Sequence, residues 1–305
     1  MAARQRLRYW TEPALPGLAL LRAELCTYEY APHLHEALVL AMTEAGGTAF
    51  TSRGSREVAE PGAVLAFNPV ETHGCRTAET AWRYRSFYLE APALARIAGD
   101  LGLRSLPGFT RNVAPDPGLS AALLAAHRLY EAGETEPAYE SLLEALGALF
   151  ARHARPGPPV DAPSRDAAIA APALRLARER HFDPLTLEEL AHAAGVTPFR
   201  LIRACRRATG LTPHAWLVQA RLAAARTLLR AGVPIVEAAV TAGFCDQSAL
   251  HRHFRRSFGI TPRDYARAER AGGRSELRPP DPPPPFFGYG EAWRAPFSAR
   301  QRLGT

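Results

Sequence analysis

Residues 185–217 read LTLEELAHAAGVTPFRLIRACRRATGLTPHAWL, and residues 234–267 read PIVEAAVTAGFCDQSALHRHFRRSFGITPRDYAR. The second stretch repeats the first. Leu187, Glu189, Ala191, Gly195 and Val196 recur 48 positions later as Ile235, Glu237, Ala239, Gly243 and Phe244. After one inserted residue, Leu201, Arg203, Arg206, Arg207, Gly210, Thr212, Pro213 and Trp216 recur 49 positions later as Leu250, Arg252, Arg255, Arg256, Gly259, Thr261, Pro262 and Tyr265. Each copy opens with a short helical run of small residues that ends on a glycine, the residue that takes a positive φ without strain. A second helical run follows, with an inward stripe of Leu201 and Cys205 in the first copy and of Leu250, Phe254 and Phe258 in the second. That is helix-turn-helix anatomy, twice. Between the copies, residues 213–230 form an amphipathic helix of 18 residues. At 1.5 Å per residue it spans about 27 Å, against about 34 Å between successive major-groove openings on one face of DNA. Such a helix can hold two reading heads on neighbouring turns of one duplex.

Charge follows the same boundary. Residues 165–270 carry 17 Arg against nine Asp and Glu, whereas the rest of the 305-residue chain carries 20 against 21. A basic third beside a nearly neutral remainder is the footprint of a polyanion-binding domain. The buried stripes also decide which side chains face out. In the first copy these are Phe199, Arg200, Ile202 and Arg203. In the second they are Gln247, Ser248, His251 and Arg252, behind Asp246 as N-cap. In a major groove, Phe199 and Ile202 suit thymine methyls, Arg203 and Arg252 guanine, and Gln247 adenine, with Ser248 and His251 able to bond bases or phosphate. Arg206, Arg207, Arg255 and Arg256 lie farther along each helix, where they reach backbone phosphates rather than base edges.

Upstream the texture is different. Segments 18–30, 37–43, 48–52, 63–67 and 82–89 are short, partly alternating and rich in Leu, Val, Phe and Tyr, with turn chemistry between them. They predict a small β-barrel or jelly roll, followed by helices over 93–101, 119–131 and 138–153. The expected class is α+β with two domains. Residues 1–154 form a barrel with trailing helices, 155–165 a Pro-rich linker, 166–270 an all-α double helix-turn-helix, and 271–305 a Pro-rich disordered tail.

Residues 166–270 resemble the DNA-binding domain of the AraC/XylS family of transcription regulators along nearly the full length of both quoted units. The stretches PHLHEALVLAMTEAGGTAF, EPGAVLAFNPVETHGC and WRYRSFYLE resemble that family's cupin-like sensor. The resemblance implies sequence-specific binding of double-stranded DNA upstream of a promoter, under control of a separate sensor domain. It places Phe199, Ile202 and Arg203, and Gln247, Ser248 and Arg252, at base-reading positions. The expected partners are DNA, a small-molecule effector, RNA polymerase and a second copy of the chain, the last through the helices of 119–153.

His33 and His35, two apart near a strand start, point to one face of the barrel, and His73 can join them. Together with Tyr84 they are the candidate effector-pocket residues; Tyr28, Tyr30, Trp82 and Arg85 are further aromatic and basic candidates. Three imidazoles suit a transition metal. The acidic ligand that metal-binding cupins add is missing, since Leu38 and Val39 occupy its place. No metal, cofactor or catalytic residue is therefore expected, and a metal-dependent cupin enzyme fused to a DNA-binding module is the alternative. There is no GxGxxG, P-loop or GxSxG element, and the absence of any lysine excludes Schiff-base and Walker chemistry. No long apolar span or leader core is present, and the four scattered cysteines suit a reducing compartment, so a cytoplasmic protein without membrane contact is expected.

Overall fold

The computed structural model describes residues 6–26, 28–77, 81–155, 164–271 and 275–277. The first half contains β1 (Arg6–Thr11), β2 (Leu18–Leu25), β3 (Glu29–His33), β4 (Ala37–Ala45), β5 (Thr48–Ser52), β6 (Ser55–Ala59), β7 (Val64–Phe67), β8 (His73–Thr77) and β9 (Trp82–Glu90). Then come α1 (Ala91–Asp100), β10 (Val113–Ala114), α2 (Pro117–Ala132) and α3 (Thr135–His153). The second half holds α4 (Arg165–Glu179), α5 (Leu187–Ala193), α6 (Pro198–Thr209), α7 (Pro213–Arg230), α8 (Ile235–Thr241), α9 (Gln247–Phe258) and α10 (Pro262–Ala271), followed by β11 (Ser275–Leu277). The pairings are antiparallel and form two sheets, β10-β7-β4-β9-β2-β1-β11 and β3-β8-β5-β6. Among the described residues, no helix is long and apolar enough to cross a membrane.

The two-residue period of a strand sorts its side chains into two cores. On β4, Val39 and Ala41 point into the barrel, while Leu38, Leu40 and Met42 point out against α1, α2 and α3. On β2, Leu21 and Leu25 point inward and Leu18 and Leu20 outward. Burial on both faces explains why β4 reads as one apolar run. The helices are anchored locally: Asp116 caps α2 by accepting from Leu119 N at 3.0 Å, and Gly133 ends it in a left-handed turn.

Several expectations need correction. Segment 18–30 is two strands belonging to different sheets, and β1, β6, β8, β10 and β11 were not anticipated. Arg85 does not face the pocket. It alternates with Tyr84 and points outward, pairing with Glu44 at 3.0 Å, His127 at 3.1 Å and Glu131. Within the expected disordered tail of 271–305, Ala271 closes α10 and Ser275–Leu277 pairs with Leu7–Tyr9 of β1. The linker boundaries shift inward: Arg155 bridges to Gly108, and Arg165 starts α4. Residues 156–163 and the tail beyond 277 lie outside the described residues.

The buried Arg85 cluster makes acid stability testable. His127 lies between the rings of Trp10 and Phe87, with centroids 5.2 and 5.1 Å away. Burial, then the Arg85 charge, lowers its pKa from 6.5 to about 3. The unfolded chain therefore takes up a proton at this residue as pH falls through 6.5, while the folded chain does not until about 3. Its stabilising contribution is present above pH 6.5 and lost on the way down. Glu131 behaves alike at lower pH: burial raises its pKa, but Arg85 and Arg22 outweigh this and hold it at about 2. Thermal melts should show Tm falling below about pH 6.5, and less steeply in His127→Phe. Parallel declines in both proteins would show that His127 is not responsible.

In the helical half the repeat becomes two units, α5–α6 and α8–α9, strung on α7. The turn glycines Gly195 and Gly243 have φ of 62° and 93°. A capping box joins Thr186 and Glu189, Thr197 caps α6, and Asp246 caps α9 through Ala249 N. The two units are anchored differently. The first has its own core of Leu190, Leu201, Cys205 and Leu217 with α4 alanines. The second shares a continuous core with the barrel interior, in which Leu250, Phe254 and Tyr265 are grouped with Tyr9, Tyr30, Phe50 and Trp82.

Polar contacts reinforce that seam. Arg226 and Arg230 of α7 both pair with Glu90, at 2.6 and 3.0 Å. Tyr28 Oη donates to the Arg255 carbonyl at 3.1 Å. The first unit is tied to the barrel as well, through the exposed pair of Arg178 on α4 with Glu36 at 3.1 Å. Gly259, which ends α9 with φ of 74°, lies so close to Tyr30 that a Cβ there would stand 2.5 Å from the phenol oxygen.

Candidate functional site

On α6, Phe199 is 68% exposed, and the guanidinium of Arg203 stands 5.8 Å from its ring centroid. Arg200 is exposed and Ile202 half-buried, while Leu201 and Cys205 are buried beneath them. On α9, Gln247, Ser248 and Arg252 are exposed and His251 is half-buried. The start of each second helix therefore presents the side chains that the stripes expose. Arg206 and Arg207 are exposed, Arg207 lying 3.5 Å from Asp166, and Arg256 is exposed as well. Arg255 is placed differently: half-buried, it lies on the turn of α9 that meets Tyr28 of the barrel.

The barrel holds a partly open pocket. His33, His35, His73 and Tyr84 all line it, with Tyr30, Trp82, Phe67 and Tyr88. Tyr30 and Tyr84 share a hydrogen bond of 3.1 Å, and the ring of Phe67 stacks on His73 at 4.0 Å. The wall on the open side comes from the helical half. Phe258, the last residue of α9, lines the cavity with its ring centroid 5.6 Å from that of His35 and 6.4 Å from that of His33. A second pocket lies along the seam and shares His35, Tyr88 and Phe258, adding Arg226 and Tyr265.

The histidines meet because of a bulge. His33 and His73 are direct partners on β3 and β8, and the register shifts between Tyr30 and His33. Gly74 lets the bulged strand approach, since a Cβ there would stand 3.0 Å from the Tyr30 carbonyl oxygen and 3.1 Å from Pro32 N. Burial lowers the pKa of His33 to about 3, that of His73 to about 4, and that of His35 well below its usual value. All three imidazoles are neutral at pH 7.

Phe258 and Tyr88 were not singled out from sequence. Phe258 looked like the third member of an inward stripe, which it is, except that the stripe's last turn faces another domain. Local periodicity carries no sign of that.

A barrel holding a pocket, beside two helix-turn-helix units of which the second shares its core, is the architecture of a DNA-binding regulator with a ligand-binding domain. Comparison agrees on both halves. Residues 15–151 match the AraC-like ligand binding domain, and residues 190–268 match a helix-turn-helix domain. The chain belongs to the AraC family of transcription regulators. It is 26% identical over 223 residues to the uncharacterized HTH-type transcriptional regulator YbfI of Bacillus subtilis, covering 72% of this chain and 80% of that one. A shorter match, 41% identical over 86 residues, joins 28% of this chain to 25% of the transcriptional activator NphR of Rhodococcus. Apo ToxT of Vibrio cholerae has the same two-domain fold, with a TM-score of 0.53 at 9% identity over 82% of this chain and 97% of ToxT. A ToxT structure bound to a methylnaphthalenyl butenoic acid aligns with a TM-score of 0.50 at 11% identity over 88% of this chain and all of that one.

Proposed function

We propose that the protein binds a specific double-stranded DNA sequence through the starts of α6 and α9, and that a small molecule in the barrel cavity controls this binding. The observation that carries the proposal is that one helix serves both ends of the signal. The first turns of α9 expose Gln247, Ser248 and Arg252, and its last residue, Phe258, walls the cavity. A ligand that displaces Phe258 must move α9 or strain its seat, so occupancy and DNA geometry are linked through a single rigid element. In the comparison structure that holds an organic acid, ToxT carries it on the same fold, which supports a small carboxylate or similar molecule as the kind of effector.

Phe199, Arg200, Ile202 and Arg203 read bases in the first unit; Gln247, Ser248, His251 and Arg252 do so in the second. Arg206, Arg207, Arg255 and Arg256 anchor phosphates, Arg255 after α9 shifts on the barrel. RNA polymerase is the partner through which bound protein acts. The apolar stripes of α2 and α3, including Leu123, Leu142 and Leu149, are buried against the sheet, and none of the large exposed hydrophobic side chains lies on either helix. A homodimer through the helices of 119–153 would rest on their half-buried outer side chains, such as Leu124 and Leu143.

Genome-wide footprinting of the full-length protein tests the proposal, followed by Arg203→Ala on the sites found. The substitution should cost about 1–3 kcal/mol and relax preference at one base pair. Footprints with no common sequence, or unchanged preference in the variant, would overturn the assignment.

A further inference from the structure

The three histidines are arranged as ligands. Their candidate nitrogen atoms all lie within 4.8 Å of one another. His33 Nδ1–H donates to the Ala31 carbonyl at 2.7 Å, and His73 Nδ1–H donates to the Glu71 carbonyl at 3.0 Å. A carbonyl oxygen can only accept, so both rings carry their proton on Nδ1 and offer the Nε2 lone pair. Backbone partners of this kind orient metal-binding imidazoles and raise their basicity. His35 Nε2–H therefore donates to His33 Nε2 at 3.0 Å, and His35 would take an ion by carrying its proton on Nδ1 instead. Two nitrogens bonded to one tetrahedral ion at about 2.0–2.1 Å would be about 3.3 Å apart, so little movement is needed to admit one.

We propose that His33, His35 and His73 bind one divalent first-row transition-metal ion in the sensor cavity, with its fourth coordination position open to the effector. The inference deepens the regulator reading and rests on it only for the consequence at the DNA. No carboxylate competes for the ion. Glu71 is held by Arg53, Asn68, Asn112 and Ser52, Glu44 by Arg85 and Arg128, and Glu36 by Arg178. A set of three neutral nitrogens favours zinc, copper or nickel over magnesium or calcium, which prefer oxygen. It also leaves the ion's double charge uncompensated in an apolar cavity, so an anionic group is the favoured fourth ligand. Phe258 stands against His35 and His33, so filling the site changes what α9 packs on.

The test strips purified full-length protein with a chelator and titrates it with Co²⁺ and Zn²⁺. One equivalent should bind, with visible Co²⁺ absorption of a low-symmetry site and an X-ray absorption signature of three imidazoles. His33→Gln and His73→Gln should each weaken binding at least about 100-fold, while Cys75→Ser, which removes the cavity thiol, leaves it unchanged. The absorption signature on the unmodified protein decides the matter even if a variant misfolds. Negligible uptake, or uptake indifferent to the histidine substitutions, would overturn the site. A protein that footprints its operator but takes up no metal loses the site and keeps the regulator reading. One that holds metal on three imidazoles but footprints nowhere does the reverse.

Discussion

Phe254→Ala should cost about 3–5 kcal/mol and destabilise two domains with one substitution. The ring is fully buried, and its centroid lies 4.8 Å from that of Phe258 and 5.5 Å from that of Tyr265. Its removal leaves a cavity that rigid neighbours fill only in part, and that residual void adds to the lost transfer energy. Because the second unit and the barrel interior share one core, the loss spreads into the barrel. Hydrogen exchange should show β3 and β8 losing protection together with α8, α9 and α10, while α5 and α6 keep theirs. Leu201→Ala is the counterpart: it lies in the separate core of the first unit and should cost about 2–5 kcal/mol there without touching the barrel. Identical exchange maps for the two variants would contradict this division of the cores.

The second large effect is expected from Glu90→Gln. One carboxylate oxygen of Glu90 serves two arginines, and the side chains of Glu90 and Arg226 are only 20% and 17% exposed. Arg226 also lies 5.4 Å from the rings of both Phe258 and Tyr265. Neutralising Glu90 leaves two guanidinium groups side by side at a mostly buried seam. Breaking a fully buried pair costs about 3–5 kcal/mol, and the partial exposure here reduces that to about 2 kcal/mol. The seam should open about 30-fold more often, seen as faster amide exchange in α9 and α10. DNA binding should then respond less to whatever fills the cavity. A variant with unchanged exchange would show that the apolar contacts alone hold the seam.

The double helix-turn-helix was legible because its signals are local. Gly195 and Gly243 mark the turns, Leu201 and Leu250 start the stripes, and Pro213 and Pro262 open the following helices. The barrel was legible as a class but not as a list of strands. β6, sequence SREVA, is a charged edge strand of the second sheet, and β8, HGCRT, contains no apolar run. β1, RLRYWT, alternates over only four residues, with Leu7 and Tyr9 inward between Arg6 and Arg8, a run too short to stand out. The face of Arg85 follows from strand alternation with the inward Tyr84. The role of Phe258 was beyond reach, since docking of one domain on another leaves no period in a single sequence.

The unequal anchoring of the two units bears on the time course of DNA association. On the proposed reading, the α5–α6 unit, with a small core of its own, would meet a duplex while tethered through α7 and the exposed Arg178–Glu36 pair. The α8–α9 unit can settle into the groove only as far as its bond with the barrel allows. On that reading arrival would be governed by the first head and residence by the second. An operator trimmed to the first half-site should be found at nearly the same on-rate and released much sooner, and filling the cavity should alter the dwell time more than the rate of encounter.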